Sequence, residues 1–384
     1  MQAVILAAGK GSRVYPFSLE KPKPLIEVAN KPLLVHNLDQ LLGIVDEVIL
    51  IVGYKKDLVM DYLGDRYHNI KIKYVIQEEM LGTGHAVALA EKHITGKFIV
   101  MNGDDLFSRK DILNIIKFEN CILLQEKENA SAFGVVEVEG GLVTNFIEKP
   151  KDKLDLSKSN LVNTGMYCFT PYVFPILRLL KKSERGEYEV TDAVKEIARL
   201  HKMHYQIVQG FWLPVGYPWH ILEANEIVLK EENFCSIKGK LGNDVIIEGS
   251  VDVGKGCVIG DGVILKGHIV IGENCVIGKG AIITGYSAIG EHTTLGTGTT
   301  LENTIVGSET TIGNNCDIKD SVLGDNVELK DGIKIDNKPN NCTVKIASEK
   351  KIFDSGKKRL GAFVADNCSV NQSLSAGDCV FLDK

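Results

Sequence analysis

Residues 6–25, LAAGKGSRVYPFSLEKPKPL, combine the residue types that could bind a phosphate group. The apolar run MQAVIL leads into this stretch, and its Val, Ile and Leu side chains predict a buried strand. A strand that ends in a glycine-rich loop can present backbone N–H groups to an anion. Arg13 follows the glycines, and two prolines flank Lys23, so the same loop carries two cations. We therefore expect a phosphate-binding loop here.

The elements that must position this loop alternate between short apolar strands and amphipathic helices up to about residue 229. The predicted strands cover residues 45–54, 70–77 and 97–105, and the predicted helices cover residues 33–45 and 84–94. Such alternation is typical of an α/β fold with a doubly wound, mostly parallel sheet. Ligands of such sheets bind beyond the carboxyl ends of the strands, where the opening loop and the Asp104–Asp105 pair both lie.

A different period begins after about residue 240, where one apolar residue recurs every six positions. The recurring residues are Leu241, Ile247, Val253, Ile259, Leu265, Ile271, Ile277, Ile283, Ile289, Leu295, Leu301, then, after one slip, Val306, Ile312, Ile318, and, after another, Leu323, Leu329 and Ile335. This hexapeptide repeat predicts a parallel β-helix whose coils stack these side chains inward. Cys257, Cys275 and Cys316 share one phase and are expected inside as well. Residues 335–359 break the period and predict an excursion, followed by a brief return at Val364, Val370 and Ala376.

Length and composition limit the class of protein. With 384 residues we expect two domains, at 1–229 and 241–384, joined by a linker at 230–240. The net charge of −6 argues against nucleic acid as a partner, and no apolar run is long enough for a membrane span. We expect no signal peptide, and we interpret the nine cysteines as reduced thiols of a cytoplasmic protein.

The order of motifs along the chain resembles that of the sugar-1-phosphate nucleotidylyltransferase family. The motifs that carry this resemblance are LAAGKGSR…KPKPL, QEEMLGTGHA (77–86), NGD (102–104), FGVV (133–136), IEKP (147–150), NTGMY (163–167) and SERGEYEVTDAV (183–194). The resemblance covers nearly the whole chain, because a left-handed β-helix also follows this domain in several such enzymes, including archaeal bifunctional ones. It implies that a nucleoside triphosphate and a sugar 1-phosphate react to give a nucleotide sugar and pyrophosphate.

The resemblance also implies roles for single residues. Arg13 would bind the departing pyrophosphate, Lys23 would lie near the reacting phosphates, and Asp104 would hold Mg²⁺. Nucleotide binding is implied for Leu6, Ala8, Gly9, Gly11, Gln77, Gly82 and Thr83, and sugar binding for Gly134, Glu148, Asn163 and Thr164. The form LGTGHA is similar to that of uridylyltransferases acting on N-acetylglucosamine 1-phosphate, which favours UTP, with dTTP as the other choice.

One segment departs from the family pattern. Relatives carry a second metal ligand in a segment that here reads FWLPVG (211–216), where Pro214 takes the ligand's place. Proline cannot coordinate Mg²⁺, so Asp105 or water would have to complete the metal shell of an active enzyme. Alternatively, the domain binds nucleotide sugars without turning them over, as a regulatory protein.

The coil also leaves two interpretations open. Acyl transfer in related coils uses a histidine as a general base. The repeat contains His268 and His292, and neither lies in the H-x-x-Y-x-G-D context of the bifunctional enzymes. We therefore expect the coil to assemble subunits into a homo-oligomer, with a trimer favoured by resemblance, rather than to act as an acetyltransferase. On this interpretation, the first domain should stay soluble without the coil.

Overall fold

The computed structural model describes residues 1–128, 130, 133–147, 159–232, 235–338, 343–348 and 351–381. Contacts divide the chain into two compact units that are not continuous in sequence. Unit 1 comprises residues 1–10, 22–24 and 33–214, and unit 2 comprises residues 11–21, 25–32 and 215–384. The domain boundary near residue 229 stays a prediction. None of the helices in the described ranges is both long and apolar enough to cross a membrane.

Unit 1 is built on a mixed sheet that, among the described residues, has ten strands. Its strands are Gln2–Ala7, Glu47–Val52, Arg66–Tyr67, Ile70–Ile76, Phe98–Asn102, Cys121–Glu126, Val135–Glu139, Leu142–Ile147, Leu161–Phe169 and His204–Ile207. Gln2–Ala7 lies between Glu47–Val52 and Phe98–Asn102, and all three run parallel. Beyond Phe98–Asn102 the sheet is mixed: Leu161–Phe169 runs antiparallel to that strand, whereas His204–Ile207 runs parallel to Cys121–Glu126. The parallel half therefore holds the strand ends at which we expect the ligand. A separate pair joins Asp105–Phe107 to Trp212–Pro214.

Helices connect the strands of unit 1, and both predicted helices form, although the one predicted at 33–45 ends at Leu41. The bounds of the helices in the described part of unit 1 are Leu33–Leu41, Lys56–Leu63, Thr83–Leu89, Arg109–Ile115, Val173–Leu179 and Val190–Leu200. The predicted helix at 84–94 ends early, at Leu89, and a 3-10 turn at Glu91–His93 follows it. The apolar faces of these helices pack on the sheet, and together they bury a core that includes Phe98, Tyr167 and Phe169. The α/β fold is thus confirmed.

Unit 2 is dominated by short parallel strands stacked on one another. They are Ser236–Ile237, Lys240–Leu241, Ile246–Val253, Val258–Ile259, Ile264–Ile271, Val276–Ile277, Ile282–Ile289, Thr294–Leu295, Thr300–Glu302, Ile305–Val306, Thr311–Ile312, Asp317–Lys319, Val322–Leu323, Glu328–Leu329, Lys334–Ile335, Phe363–Val364, Ser369–Val370 and Cys379–Val380. Ile247 pairs with Leu265, a full coil of three hexapeptides away. After residue 300 a coil is one residue shorter, and Val306 pairs with Leu323. Unit 2 also contains the helix Trp219–Glu231 and the strand pair Glu27–Val28 and Lys31–Pro32.

The interior of the coil follows the six-residue period. Nearly all the predicted inward residues, from Val253 to Ile335, belong to one buried cluster, and Cys257, Cys275 and Cys316 lie among them. Two predicted positions differ. Leu241 is 44% exposed, because the first coil has no coil below it. At the other end Leu374, not Ala376, makes the bridge to Ile335.

The predicted excursion between Ile335 and Phe363 contains a two-stranded antiparallel hairpin, Lys345–Ser348 and Lys351–Asp354. The chain leaves the stack of coils after Ile335 and re-enters it at Phe363, which pairs with Val322. Within this excursion, Ile346 lies opposite Phe353 and is buried. We call these two strands, Lys345–Ser348 and Lys351–Asp354, the hairpin.

Candidate active site

A cleft of about 290 Å³ lies at the carboxyl ends of the parallel strands of unit 1. Its lining contains Leu6, Ala8, Gly9, Gln77, Met80, Gly82, Thr83, Ala86, Asn102, Asp104 and Glu187. Seven of these are residues for which the sequence resemblance implies nucleotide or metal binding. Residues far apart in the chain therefore meet where a parallel sheet is expected to bind its ligand.

The start of the glycine-rich loop is fixed to its neighbouring strands by two carbonyl groups. The Leu6 carbonyl accepts a hydrogen bond from the Gly103 N–H at 2.9 Å, and the Ala8 carbonyl accepts one from the Tyr54 N–H at 3.0 Å. Gly11 then adopts a left-handed conformation, φ 64°, which glycine tolerates at no steric cost, and it caps a 3-10 helix, Ser12–Val14. Gly11 and Arg13 belong to unit 2.

Lys23 and Asp104 form an ion pair within unit 1. The Lys23 side chain is buried, and its Nζ donates to Asp104 Oδ2. A buried ammonium group needs a counter-charge, and Asp104, a third exposed in the cleft, supplies it. Asp104 lines the cleft and Lys23 does not, so the pair places a buried cation next to a carboxylate of the cleft wall. A divalent cation could bind Asp104, and a phosphate group could then take Lys23.

Asp105 faces the protein interior rather than the cleft. Its Oδ2 accepts hydrogen bonds from Asn102 Nδ2 at 3.2 Å and Trp212 Nε1 at 3.3 Å. Burial, with a further contribution from the charge of Asp104, raises the pKa of Asp105 to about 7. Pro214 lies directly opposite Asp105 in the strand pair, so the segment that departs from the family pattern does lie beside the two aspartates.

The side chains at the cleft provide only some of the ligands that a divalent cation needs. Within the described residues, no cluster of three His, Cys, Asp or Glu side chains could hold a metal. Among the described residues, the carboxylates that line the cleft are those of Asp104 and Glu187. Mg²⁺ is commonly held by one or two carboxylates together with substrate phosphates and water. The residues present therefore fit a cation that arrives largely coordinated by a nucleotide.

Gln77 is held in one orientation by its neighbours. Its amide Nε2 lies 3.2 Å from the Gly82 carbonyl oxygen and 3.0 Å from His85 Nδ1. A carbonyl oxygen can only accept, so the nearby atom is the amide nitrogen, and His85 Nδ1 must accept its second hydrogen. No described residue donates to the carbonyl oxygen Oε1, which is left to a ligand as an acceptor.

The loop that carries Gly82 and Thr83 packs against the segment before the helix Val190–Leu200. Gly82 has φ 107°, and a Cβ there would lie 2.5 Å from the Tyr188 carbonyl oxygen, so a side chain does not fit. The Thr83 hydroxyl accepts a hydrogen bond from the Val190 N–H at 3.1 Å. These contacts bring Glu187 to the cleft.

Of the residues implied in sugar binding, Gly134, Asn163 and Thr164 lie outside the lining of this cleft. Thr164 is buried and its hydroxyl donates to the Leu123 carbonyl at 2.8 Å, so it is engaged in the sheet. Asn163 bonds to the Tyr167 hydroxyl at 2.7 Å, and its backbone N–H donates to the Gly134 carbonyl at 2.8 Å. Glu148 lies outside the described residues. Their roles in sugar binding stay predictions.

Sequence reasoning missed several residues of the site. Met80, Ala86, Asn102 and Glu187 line the cleft, and His85 orients Gln77. All five lie within motifs that carry the resemblance: four in QEEMLGTGHA and NGD, and Glu187 in SERGEYEVTDAV. The motifs were therefore the available signal, but the sequence gives no indication of which of their side chains turn toward the ligand.

The two histidines of the coil differ in their surroundings. His268 Nδ1 lies 3.1 Å from the Leu229 carbonyl oxygen, and its ring stacks on Tyr286 with centroids 5.2 Å apart. His268 is thus engaged in packing the helix Trp219–Glu231 on the coil. His292 is exposed at a turn with φ 57°.

Solved structures support the fold of unit 1. A structure described as a glucose-1-phosphate thymidylyltransferase of Bacillus anthracis with sucrose superposes with a TM-score of 0.55 at 28% identity. That match covers 62% of this chain and 98% of the other. A UDP-glucose pyrophosphorylase with UDP-glucose, at 24% identity and a TM-score of 0.54, shows the same fold.

Sequence relatives point the same way. The Bifunctional protein GlmU of Methanococcus vannielii is 41% identical over 259 residues, which is 67% of this chain and 61% of the relative. The chain thus spans about three fifths of the length of the GlmU proteins it matches. The UTP--glucose-1-phosphate uridylyltransferase AglF of Haloferax volcanii is 37% identical over 60% of this chain and 98% of its own length.

Two families match the chain in sequence. The GMPPB C-terminal domain matches residues 229–359, and the nucleotidyl transferase family matches residues 2–231. The second match covers the strands, the glycine-rich loop and the cleft described above. The chain therefore belongs to the nucleotidyl transferase family.

Proposed function

We propose that the chain transfers a nucleotidyl group from UTP or dTTP to a sugar 1-phosphate of the glucose or N-acetylglucosamine type. A phosphate oxygen of the sugar 1-phosphate attacks the α-phosphorus of the nucleotide, and the bond to the bridging oxygen of the β-phosphate breaks. Pyrophosphate leaves with that electron pair, and a nucleotide sugar remains. The relatives named for uridylyl and thymidylyl transfer to glucose 1-phosphate support this reaction type.

The observation that carries the proposal is the Lys23–Asp104 pair, whose carboxylate lines the same cleft as Gln77. Both reactants are polyanions, so the protein must mainly position them and offset charge. Lys23 would bind a phosphate oxygen, and the backbone N–H groups around Gly9 would bind others. Arg13, four residues further along the chain, would bind the pyrophosphate part. Asp104 would hold Mg²⁺, which stabilises negative charge on the phosphates when bound.

A pyrophosphate-release screen of the purified chain tests the proposal. UTP, dTTP, CTP and ATP are each supplied with glucose 1-phosphate and N-acetylglucosamine 1-phosphate in the presence of Mg²⁺. We expect pyrophosphate release with UTP or dTTP, whose rings carry an N–H at N3. In Lys23→Ala the rate of release should fall about a hundredfold or more. No release with any pair would contradict the proposal.

A second candidate is a protein that binds nucleotide sugars without turning them over. The environment of Asp105 favours it, because the bonds from Asn102 and Trp212 occupy this carboxyl and Pro214 opposite it offers no carboxylate. The same screen separates the two candidates. A nucleotide that binds, as calorimetry would show, yet releases no pyrophosphate would favour the binding protein.

We also propose that the coil assembles the chain into a homotrimer. Support comes from apolar side chains on its outer face, where Ile246 and Val258 are each 48% exposed and Val276 is 45% exposed. Val258, Val276 and Thr294 follow one another up the same face. Light scattering of the double variant Val258→Lys, Val276→Lys should show monomers. Lys334→Glu, at an exposed position in a different sheet of the coil, is the control and should leave the trimer intact. An unchanged trimer in the double variant would contradict this interface.

A further inference from the structure

Arg13 makes an unusual set of contacts for a cation. Its guanidinium carbon lies 5.6 Å from the centroid of the Tyr217 ring, within unit 2. The side chain is exposed, and it makes no ion pair or hydrogen bond with another described residue. A guanidinium over an aromatic face is held by its flat side, so its N–H donors stay available at the edge. The Arg13 side chain is thus held against Tyr217, and no ion pair with a described residue offsets its positive charge.

Tyr217 is itself fixed by other rings. Trp219 stacks on it, with centroids 4.6 Å apart and planes at 4°. On another side Phe353 contacts it, with centroids 5.2 Å apart and planes at 59°. Trp219 begins the helix Trp219–Glu231 and is buried. Phe353, by contrast, comes from the hairpin, more than a hundred residues later in the chain.

The hairpin is tied down near Phe353. Lys357 just beyond it forms an ion pair with Glu223 at 2.5 Å. The Val344 N–H donates to the Lys357 carbonyl at 2.8 Å, which closes the base of the hairpin. Ile352, the neighbour of Phe353, points the other way and is 72% exposed. One residue of the hairpin therefore packs on Tyr217, and the next does not.

The segment that carries Arg13 also rests on the coil. Lys21 forms an ion pair with Asp325. Phe17 packs against Phe363 with ring centroids 6.4 Å apart, just where the chain re-enters the coil after the hairpin. The coil thus holds the end of this segment in place. The hairpin contributes Phe353, which packs on the Tyr217 ring that Arg13 contacts.

We propose that the hairpin positions Arg13 through Tyr217, so that Phe353 is a positioning residue for pyrophosphate binding. This inference rests on the proposed function for the identity of the anion. A free arginine side chain has many rotamers, and holding one of them lowers the entropy lost when an anion binds. Removing the Phe353 ring leaves Tyr217 unsupported on one side, and Arg13 then samples other rotamers. We expect about a five- to tenfold weaker affinity for pyrophosphate.

The test measures binding of inorganic pyrophosphate to the full chain by calorimetry, with Mg²⁺ present. Phe353→Ala should weaken binding about five- to tenfold, and Phe353→Tyr should restore it. Ile352→Ala, on the exposed side of the same hairpin, is the matched control and should leave affinity unchanged. Arg13→Ala should weaken binding further, and adding Phe353→Ala to it should have no additional effect, because Phe353 acts through Arg13.

Each other outcome overturns the inference. An equal loss from Phe353→Ala with and without Arg13 would show a general effect on folding. If Phe353→Ala leaves the affinity for pyrophosphate unchanged, or if this affinity does not depend on Arg13, the aromatic stack does not position Arg13 for binding. The readout needs no turnover. If the chain binds pyrophosphate in this Arg13-dependent way but fails the release screen, the proposed function is wrong and the positioning role stands.

Discussion

The orientation of the Gln77 amide has a consequence for base choice. Both of its N–H groups are directed to Gly82 and His85, so its oxygen is the atom left to a base. Uracil and thymine carry a donor at N3, whereas the N3 of cytosine is an acceptor. An acceptor facing another acceptor leaves both unsatisfied, which typically costs about 1–3 kcal/mol.

His85 is therefore expected to control discrimination between UTP and CTP. In His85→Leu the amide loses its acceptor partner and can rotate, so we expect the ratio of kcat/KM values to fall about tenfold. His85→Asn places an oxygen near the position of Nδ1 and should keep the ratio. Steady-state kinetics with both nucleotides measure it. An unchanged ratio in His85→Leu, or an equal loss in both variants, would contradict the role.

Pro214 offers a second prediction at the level of one residue. Pro214→Asp adds a carboxylate opposite Asp105, in the strand pair beside Asp104. If the enzyme works with one protein carboxylate, the variant should lower the Mg²⁺ concentration needed for half-maximal pyrophosphate release. Pro214→Ala removes the ring without adding charge and is the control. If the two variants require the same Mg²⁺ concentration, the segment is not the second metal position.

The cleft could be anticipated from the sequence because its residues follow strand ends in a fixed order. Thr164 could not be placed in this way. The pairing between Leu161–Phe169 and its neighbour Cys121–Glu126 is irregular between Asn163 and Tyr167, and Gly165 has φ 82°. Such an irregularity breaks the alternation that tells which side chain faces which side of a sheet.

At the level of elements, the strand pair Glu27–Val28 and Lys31–Pro32 introduces a carboxyl group beside the coil. Burial raises the pKa of Glu27 to about 6, and although Lys21 opposes this shift, the charges of Asp325, Glu291 and Asp366 add to it. Between its ordinary value near 4.5 and about 6, the native protein keeps a proton that the unfolded chain releases. The stability that this proton contributes is present at low pH and is lost as the pH rises through about 6.

Glu27→Gln mimics the protonated form. We expect it to raise the free energy of unfolding by about 1–2 kcal/mol at pH 7.5 and to change it little at pH 4. Urea unfolding at the two pH values measures the difference. Glu328→Gln, at an exposed carboxylate of the same coil, is the control and should show no such pH dependence. Equal effects of Glu27→Gln at both pH values would contradict this explanation.

The coil was the part of the fold that the sequence predicted in most detail, because one apolar residue in every six determines which side chains face inward. Its ends and its excursion were less predictable. The exposure of Leu241 and the inward turn of Leu374 depend on neighbouring coils, which the period of a single strand does not describe. The left-handed sense of the coil stays a prediction.

At the level of the whole molecule, the coil does more than extend the chain. Within unit 2, Asn225 Nδ2 donates to the Tyr286 carbonyl at 2.9 Å, so the helix Trp219–Glu231 packs on the coil. Ile221 of that helix is fully buried, and Phe17 is buried too. A chain cut at residue 240 would expose these apolar side chains to water.

We therefore expect a fragment of residues 1–240 to be poorly soluble and to release no pyrophosphate, contrary to the expectation from sequence that it would stay soluble. Expression of the fragment beside the full chain, with sedimentation and the release assay, tests this. A soluble fragment with the activity of the full chain would show that the coil serves assembly alone.

The ion pair between Lys21 and Asp325 joins residues 304 positions apart. A ribosome adds about 5–20 residues per second, so the first partner waits on the order of 15–60 s for the second to be made. The glycine-rich loop leaves the ribosome long before the residues that support it. A nascent chain therefore carries Tyr15 and Phe17 without their partners while the intervening residues are made, and in that period a chaperone could bind them. On this account, the loop gains its contacts within unit 2 only after the ribosome has made the coil.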